Sequence, residues 1–122
     1  MLTNSDVVRE VWSAIERRDW DVLRSLCDER CIYTLPQSGE RYSRDGFVRL
    51  NREYPGEWHV NVQSLIGCET WVVTEVTVSF RDRIDTGVSL FRVDSGRVVE
   101  IREYWPEPFE VPAWRNDWAE RL

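Results

Sequence analysis

Apolar and polar residues follow two different periods along this chain of 122 residues. In roughly the first half, apolar residues recur every three or four positions, as they do on one face of an amphipathic helix. From about residue 58 onward they recur at every second position, which is typical of strands that bury one face. The pattern therefore predicts mainly helices first and mainly strands afterwards.

Three helices are predicted, at residues of about 5–18, 19–27 and 44–53. The first has an apolar stripe opposite a charged face, and the other two repeat the helical spacing over shorter runs. Each begins near a side chain that can cap a helix N-terminus: Thr3 or Ser5, then Asp19, then Ser43.

Five strands are predicted, at residues of about 31–35, 58–65, 71–80, 84–93 and 97–105. Short turn signals join the last four strands, which indicates an antiparallel meander. Helices gathered before strands are typical of an α+β domain, with the helices on one face of a curved antiparallel sheet. No linker or repeat divides the sequence, so we expect a single domain over residues 1–122.

The strand at about 71–80 carries apolar residues on both of its faces. Val72 and Val76 lie on one face, and Trp71 and Val73 lie on the other with Glu75. A sheet that is apolar on both faces needs a cover on each, and the helices can cover only one. We therefore predict a homodimer in which a second subunit covers the outer face.

One face of the last predicted strand is apolar apart from a single acid, and its members are Val99, Ile101, Glu103 and Trp105. Three prolines then end the strand, because proline cannot donate to a ladder. The segment 106–122 carries three more large aromatic residues, Phe109, Trp114 and Trp118. We predict that this segment is a clasp, over either the mouth of a pocket or the second subunit.

The charge balance narrows the range of partners. With 16 basic and 22 acidic residues the formal charge is −6, and the arginines are scattered, so we expect no nucleic-acid partner. No basic segment precedes an apolar run at the start, and no apolar run approaches the roughly 20 residues that cross a bilayer. We expect a cytoplasmic protein with no membrane partner.

The cysteines and the histidine give no metal or disulfide pattern. Cys27, Cys31 and Cys68 are an odd number, which suits reduced thiols. His59 is the only histidine, and the spacing of the cysteines matches no second pair of zinc ligands. We expect neither a metal nor a cofactor.

Three stretches resemble one known family in their order and spacing: RRDWDVLRSLCDERCIYTLP, SGERYSRDGFVRL and GRVVEIREYW. They resemble the nuclear-transport-factor-2-like superfamily, in particular its SnoaL-like, polyketide cyclase-like branch. The resemblance covers nearly the whole chain. It implies a cystatin-like α+β barrel, that is, a cone-shaped curved sheet closed by three helices around a deep, mostly apolar pocket, with a dimer formed across the outer sheet face.

The members of this superfamily include cyclases, dehydratases, isomerases, an epoxide hydrolase and noncatalytic adaptors, so the fold alone does not decide the function. In the ketosteroid isomerases, a general-base aspartate precedes the proline of the first strand, where this chain has Leu35. Their second aspartate falls near Ser89, and their oxyanion tyrosine at Val11 or Trp12. The resemblance therefore argues against isomerase chemistry of that type.

The same alignment assigns Glu103 to the inner face of the sheet, close to Ile101, Trp105 and Tyr33. Burial would raise the pKa of this carboxyl toward the range useful for proton transfer. The simpler alternative is an internal acid paired with an arginine, for which Arg49 or Arg52 is available.

His59 and Tyr33 are the predicted partners of Glu103 in catalysis, because each can polarise or orient a bound carbonyl group. Each also has a simpler interpretation, His59 as a rim residue and Tyr33 as a core tyrosine. The residues predicted to contact a ligand are Trp12, Leu35, Val76, Ser89, Phe91, Ile101 and Trp105.

Two classes of function remain open on the sequence. The first is binding of a small apolar or aromatic molecule in the cone, with cofactor-independent acid–base chemistry of an isomerase, cyclase or dehydratase-like lyase. The second is a noncatalytic dimeric binding or adaptor module. An open pocket lined by Glu103 would favour the first class, and an interior filled by side chains would favour the second.

Overall fold

A computed structural model describes residues 2–122, in which helices and a mixed sheet form two layers. The helices are α1 (Asn4–Glu16), α2 (Trp20–Leu26) and α3 (Arg44–Glu53), and a short 3-10 helix (Ala113–Trp118) lies near the end. The strands are β1 (Cys27–Leu35), β2 (Glu40–Ser43), β3 (His59–Cys68), β4 (Trp71–Ser79), β5 (Ile84–Asp94) and β6 (Arg97–Tyr104).

Side-chain caps fix where the three helices begin. The Thr3 hydroxyl accepts from the Asp6 backbone N–H while the Asp6 carboxylate accepts from the Thr3 N–H, which is a capping box. Asp19 and Ser43 accept from Val22 and Gly46 in the same way at α2 and α3. Of the two caps considered for the first helix, Thr3 is the one that is used.

The six strands form one sheet in the order β2-β1-β6-β5-β4-β3. The predicted α+β class with a curved sheet is confirmed, and β3 to β6 form an antiparallel meander. One pair of neighbouring strands differs from the predicted antiparallel sheet. Strands β1 and β6 run parallel, because the chain enters β1 from the helices and β6 from the meander at the same end of the sheet. The sheet is not closed into a barrel, since β2 and β3 remain its two edges.

The greatest difference from the prediction lies between α2 and α3. Cys27 starts β1 instead of ending the helix, and β1 is four residues longer at its start than the predicted strand from residue 31. Glu40 begins strand β2 and pairs with Leu35, in a region where no strand was predicted. The charged residues at 28–30 hid the strand, because they occupy an irregular stretch where the pairing with β6 shifts register.

The helices cover only the inner face of the sheet. Trp12 of α1 donates its indole N–H to the Thr74 hydroxyl at 3.2 Å and packs edge-on against Phe91 at 6.0 Å between ring centroids. Phe47 of α3 lies 4.7 Å from the Tyr33 ring, which joins α3 to β1. The inner face is therefore the core.

The outer face of the sheet carries exposed apolar groups, with Ile66 at 68% and Val73 at 37% exposure. Glu75 is exposed on the same side of β4 as Val73, as the alternation along this strand predicted. A second subunit over this face stays a prediction. Among residues 2–122, no helix is long and apolar enough to span a membrane.

Candidate ligand-binding and active site

A cavity of about 660 Å³ lies between the inner face of the sheet and helices α1 and α3. Its walls are largely apolar and aromatic: Val11, Trp12, Ile15, Phe47, Leu50, Tyr54, Trp58, Val60, Val78, Phe80 and Phe91. Polar and charged side chains gather at its solvent-facing rim, namely Glu40, Arg83, Asp85 and Glu107. A volume of this size falls within the range of small-molecule sites in proteins.

Glu103 is the buried acid of the cavity wall, with only 5% of its surface exposed. Its carboxylate accepts three hydrogen bonds from side chains. The Tyr33 hydroxyl donates to Oε1 at 2.6 Å, the Ser89 hydroxyl donates to Oε2 at 2.6 Å, and the Trp105 indole N–H donates to Oε1 at 2.8 Å. The three donors hold the carboxyl in one orientation.

The sheet register brings these groups together. Alternation along β6 turns Ile101 and Glu103 inward, and Ser89 is directly opposite Glu103 on β5. Tyr33 pairs with Ile101 across the parallel contact between β1 and β6. The site is thus built from the central strand of the sheet and from both of its neighbours.

Trp105, directly after β6, is held in place from two sides. Its ring lies against Gly87, where an added Cβ would come within 2.7 Å of the ring carbons. Its backbone N–H donates to the Gln37 side-chain oxygen at 2.5 Å. Only glycine at position 87 leaves room for the indole to reach Glu103.

Burial and hydrogen bonding act in opposite directions on the Glu103 carboxyl. Burial raises its pKa above the ordinary value, and the hydrogen bonds from Ser89, Tyr33 and Trp105 offset part of that rise. Burial and the neighbouring Glu103 charge also raise the pKa of the Tyr33 hydroxyl, so this hydroxyl stays protonated. A buried acid with a raised pKa beside a protonated tyrosine is suited to exchange a proton with a bound molecule.

The arginine partner considered for Glu103 is wrong. The Arg49 side chain is 71% exposed and pairs with Glu53 at 2.7 Å, one turn further along α3. Arg52 is also exposed, and its helix turns Phe47, Leu50 and Asn51 toward the cavity instead. Glu103 is satisfied by hydroxyl and indole donors and not by a cation.

His59 does not lie with the other predicted catalytic residues. It is the first residue of β3, and Val60 beside it lines the cavity, so alternation turns the imidazole to the opposite side. The ring is 71% exposed, and its Nδ1 lies 2.8 Å from Glu16 Oε2. Glu16 also accepts from the Val60 N–H at 2.8 Å, so His59 belongs to a contact between α1 and β3.

The predicted ligand contacts divide into two groups. Trp12, Leu35, Phe91 and Trp105 line the cavity. The other three, Val76, Ser89 and Ile101, are fully buried in the sheet beneath it.

The main contribution that the sequence analysis missed comes from α3. Phe47, Leu50 and Asn51 all line the cavity, and their i, i+3, i+4 spacing is the signal that could have found them. The Asn51 amide donates to the Phe47 carbonyl at 2.9 Å, which leaves the side-chain oxygen of Asn51 available to a ligand.

The aromatic residues of the C-terminal segment do not cover the mouth of the cavity. Phe109, Trp114 and Trp118 are 79%, 69% and 77% exposed. Pro106 and Pro108 line the rim instead. A clasp over the mouth, one of the two predicted alternatives, is therefore wrong for these rings.

The described residues offer no metal site, since no three acids, cysteines or histidines of residues 2–122 cluster as ligands. Cys27 and Cys31 are buried and Cys68 is exposed. A hydrogen bond with Cys31, together with burial, raises the pKa of the Cys27 thiol, which disfavours its thiolate.

Comparison with known proteins finds a matching family model and similar solved structures. A family model for a SnoaL-like domain matches residues 8–101. A protein from Kribbella flavida DSM 17836, named as a candidate ketosteroid isomerase, is 30% identical, with a TM-score of 0.93 over 98% of this chain and 89% of that chain. No curated protein matched the sequence.

Two further solved structures have the same fold. One is a nuclear-transport-factor-2-like protein of unknown function from Burkholderia xenovorans LB400, at 29% identity and a TM-score of 0.81, covering 98% of this chain and 94% of that one. The other is IdmH from Streptomyces antibioticus, named as a candidate polyketide cyclase, at 19% identity and a TM-score of 0.73, covering 85% of this chain and 92% of that one.

Proposed function

This chain belongs to the SnoaL-like domain family, and from that premise we propose that its cavity binds a small, largely apolar or aromatic molecule and transfers a proton on it without a cofactor. The observation that carries the proposal is a buried carboxyl with a raised pKa on the wall of a cavity of about 660 Å³. Isomerisation, cyclisation and dehydration all need such a proton transfer.

The lining supports an apolar ligand with a polar end directed toward Glu103. Aromatic rings from α1, α3 and the sheet surround the cavity, and among the acids of residues 2–122 that line it, Glu103 is the buried one. Flat rings would pack on Trp58, Phe80 and Phe91, where burial of apolar surface drives binding. Asn51 can accept one hydrogen bond and so orient the ligand.

In the proposed reaction, Glu103 takes a proton from a carbon next to a carbonyl group and returns it to another position. An ionised carboxylate has about four acceptor sites, and three are filled here, so one remains for the substrate proton. The Tyr33 hydroxyl would turn from Glu103 to the carbonyl oxygen and stabilise the enolate. The names given to the Kribbella and Streptomyces relatives fit this class of chemistry.

A second candidate is a noncatalytic binding module with the same cavity. The observation in its favour is the completeness of the Glu103 hydrogen bonding, since three short contacts also describe an acid that only holds three strands together. Leu35 in place of the general-base aspartate of ketosteroid isomerases, and Val11 or Trp12 in place of their oxyanion tyrosine, point the same way.

Binding in the cavity is tested by filling it from α3. Leu50→Trp places an indole in the space that Leu50 now lines, and Arg49→Trp adds the same ring to the exposed side of the same helix. We expect calorimetric titration with two-ring aromatic ketones to show binding by the wild type and by Arg49→Trp, and affinity at least about tenfold weaker for Leu50→Trp. Equal affinity in all three proteins would place the ligand outside the cavity and overturn the proposal.

A further inference from the structure

The outer face of the sheet carries a second concave site, here called the arginine groove, with a volume of about 430 Å³. Its lining includes Ile32, Thr34 and Val99 together with three arginines, Arg30, Arg41 and Arg92. Ile32 and Thr34 alternate with the inward residues of β1, so the groove opens on the side of the sheet away from the cavity.

The groove holds an arginine without an acidic partner. Arg30 pairs with Asp28 at 3.1 Å and Arg92 pairs with Glu100 at 3.4 Å. Arg41 forms no ion pair with any residue from 2 to 122. Arg102 lies next to the groove, opposite Thr34 in the parallel pairing of β1 and β6. Its Nε is buried and has no hydrogen-bond partner among residues 2–122. A buried donor without an acceptor indicates a missing partner.

The C-terminal tail, residues 106–122, has the complementary character. Trp114 and Trp118 pack edge to face at 5.7 Å between ring centroids, and yet both rings are largely exposed. The tail has four acids against two arginines, Arg115 and Arg121. An exposed aromatic pair in a tail of net negative charge matches a groove lined by apolar residues and arginines.

The occupant cannot be the tail of the same copy in the conformation seen here. Pro106 and Pro108 line the rim of the cavity, on the inner side of the sheet, and the aromatic residues beyond them are largely exposed. We propose that the tail of one copy docks, through Trp114 and Trp118, in the arginine groove of a second copy. In a twofold dimer both tails make this contact, so each copy supplies one groove and one tail.

The proposal is tested by cross-linking between isotopically distinct copies. The photoreactive residue p-benzoylphenylalanine replaces Trp118, and a mixture of unlabelled and ¹⁵N-labelled protein is irradiated at a concentration where sedimentation shows a dimer. We expect mixed-isotope cross-links from position 118 to peptides containing Ile32 or Val99. Cross-links only within one copy, or only to the cavity rim, would overturn the proposal.

A variant pair provides an independent readout. Trp114→Ser with Trp118→Ser removes two exposed rings outside the core, and Leu2→Ser, at 60% exposure, removes exposed apolar surface elsewhere. We expect the dimer dissociation constant from sedimentation to rise at least about tenfold for the tail variant and to stay within about twofold for Leu2→Ser. Docking in the groove would be contradicted if the wild type is a monomer at 100 µM or if the dimer dissociation constant of the tail variant is unchanged. It would also be contradicted if the tail binds lipid vesicles and not the second copy.

Discussion

Glu103 is an ionisable group that the fold buries at a cost. Burial favours its neutral form, whereas Tyr33, Ser89 and Trp105 all donate to it and favour its ionised form. Because the net effect on the pKa is a rise, the folded protein binds a proton at Glu103 more tightly than the unfolded chain does. The proton therefore stabilises the fold.

The first prediction concerns how stability depends on pH. A raised carboxyl pKa gives stability that is fully present below the unfolded value of about 4.3 and is lost as pH rises through the folded pKa. Gln is a close mimic of the neutral acid, because its oxygen can accept from Tyr33 and Trp105 while its amide donates to Ser89. We expect wild-type protein to lose stability relative to Glu103→Gln as pH rises from about 4 to 8.

Urea denaturation of both proteins at several pH values measures this difference. Each unit between the folded and unfolded pKa corresponds to about 1.4 kcal/mol of relative stability. Taking the difference between the two proteins cancels the titration of the remaining acids. A difference that stays flat, or one in which the wild type gains with rising pH, would contradict the raised pKa.

At the scale of single residues, the sequence predicted the inward position of Glu103 but not the side chains that donate hydrogen bonds to it. Alternation along the last strand placed Glu103 on the inner face with Ile101. It also predicted Val99 on that face, which is wrong, because a register shift between β5 and β6 turns Val98 inward and leaves Val99 on the outer groove. Its donors depend on the register of β1 and β5 against β6, which neighbouring residues do not encode. The prediction of an arginine partner was wrong for a similar reason. The rotation of α3 about its axis decides which of its side chains face inward, and neighbouring residues do not encode this rotation.

At the scale of elements, strand β5 and the end of β6 meet where the Trp105 ring lies on Gly87. An added methyl group would come within 2.7 Å of ring carbons, closer than real side-chain contacts, so the indole would have to move. Its movement would weaken the hydrogen bond to Glu103. Gly87 thus sets the position of the Trp105 ring on the cavity wall.

We expect Gly87→Ala to lower the free energy of unfolding by about 1–3 kcal/mol, the usual cost of overpacking. The same change in a Trp105→Ala background should cost much less, because the ring that it meets has gone. A double-mutant cycle by urea denaturation gives the coupling energy between the two sites. Equal costs in both backgrounds would show that the ring does not impose the requirement for glycine.

Elements with a clear period were predictable, and those without one were not. The apolar stripe of α1 and the alternation of β4, β5 and β6 gave these elements to within about two residues at most ends, the usual disagreement between assignments. Strand β2 was missed because four mostly exposed residues, Glu40–Ser43, carry no apolar alternation. His59 was misplaced because a residue at the start of a strand can face either side until the register is known.

At the scale of the whole molecule, the two faces of the sheet have different surroundings. The inner face and the helices enclose the cavity, and the outer face retains exposed apolar residues with the arginine groove. The order of elements in the sequence was enough to predict both layers, and a second subunit over the outer face stays a prediction. The size of the cavity was not predictable, since side chains from α1, α3 and all six strands determine it jointly.

Proton exchange on a bound ketone tests the central claim most directly. A two-ring aromatic ketone that binds the wild-type protein, such as 1-tetralone or 2-tetralone, is incubated in D₂O, and NMR follows deuterium entering the carbon next to the carbonyl. Glu103→Gln is the test variant, and His59→Gln is the control, because His59 lies outside the cavity.

We predict that the wild type and His59→Gln accelerate exchange equally over buffer, and that Glu103→Gln binds the ketone but exchanges its protons at least about 100-fold more slowly. Wild-type protein that binds the ketone without accelerating exchange, or Glu103→Gln that exchanges as fast as the wild type, would contradict the account.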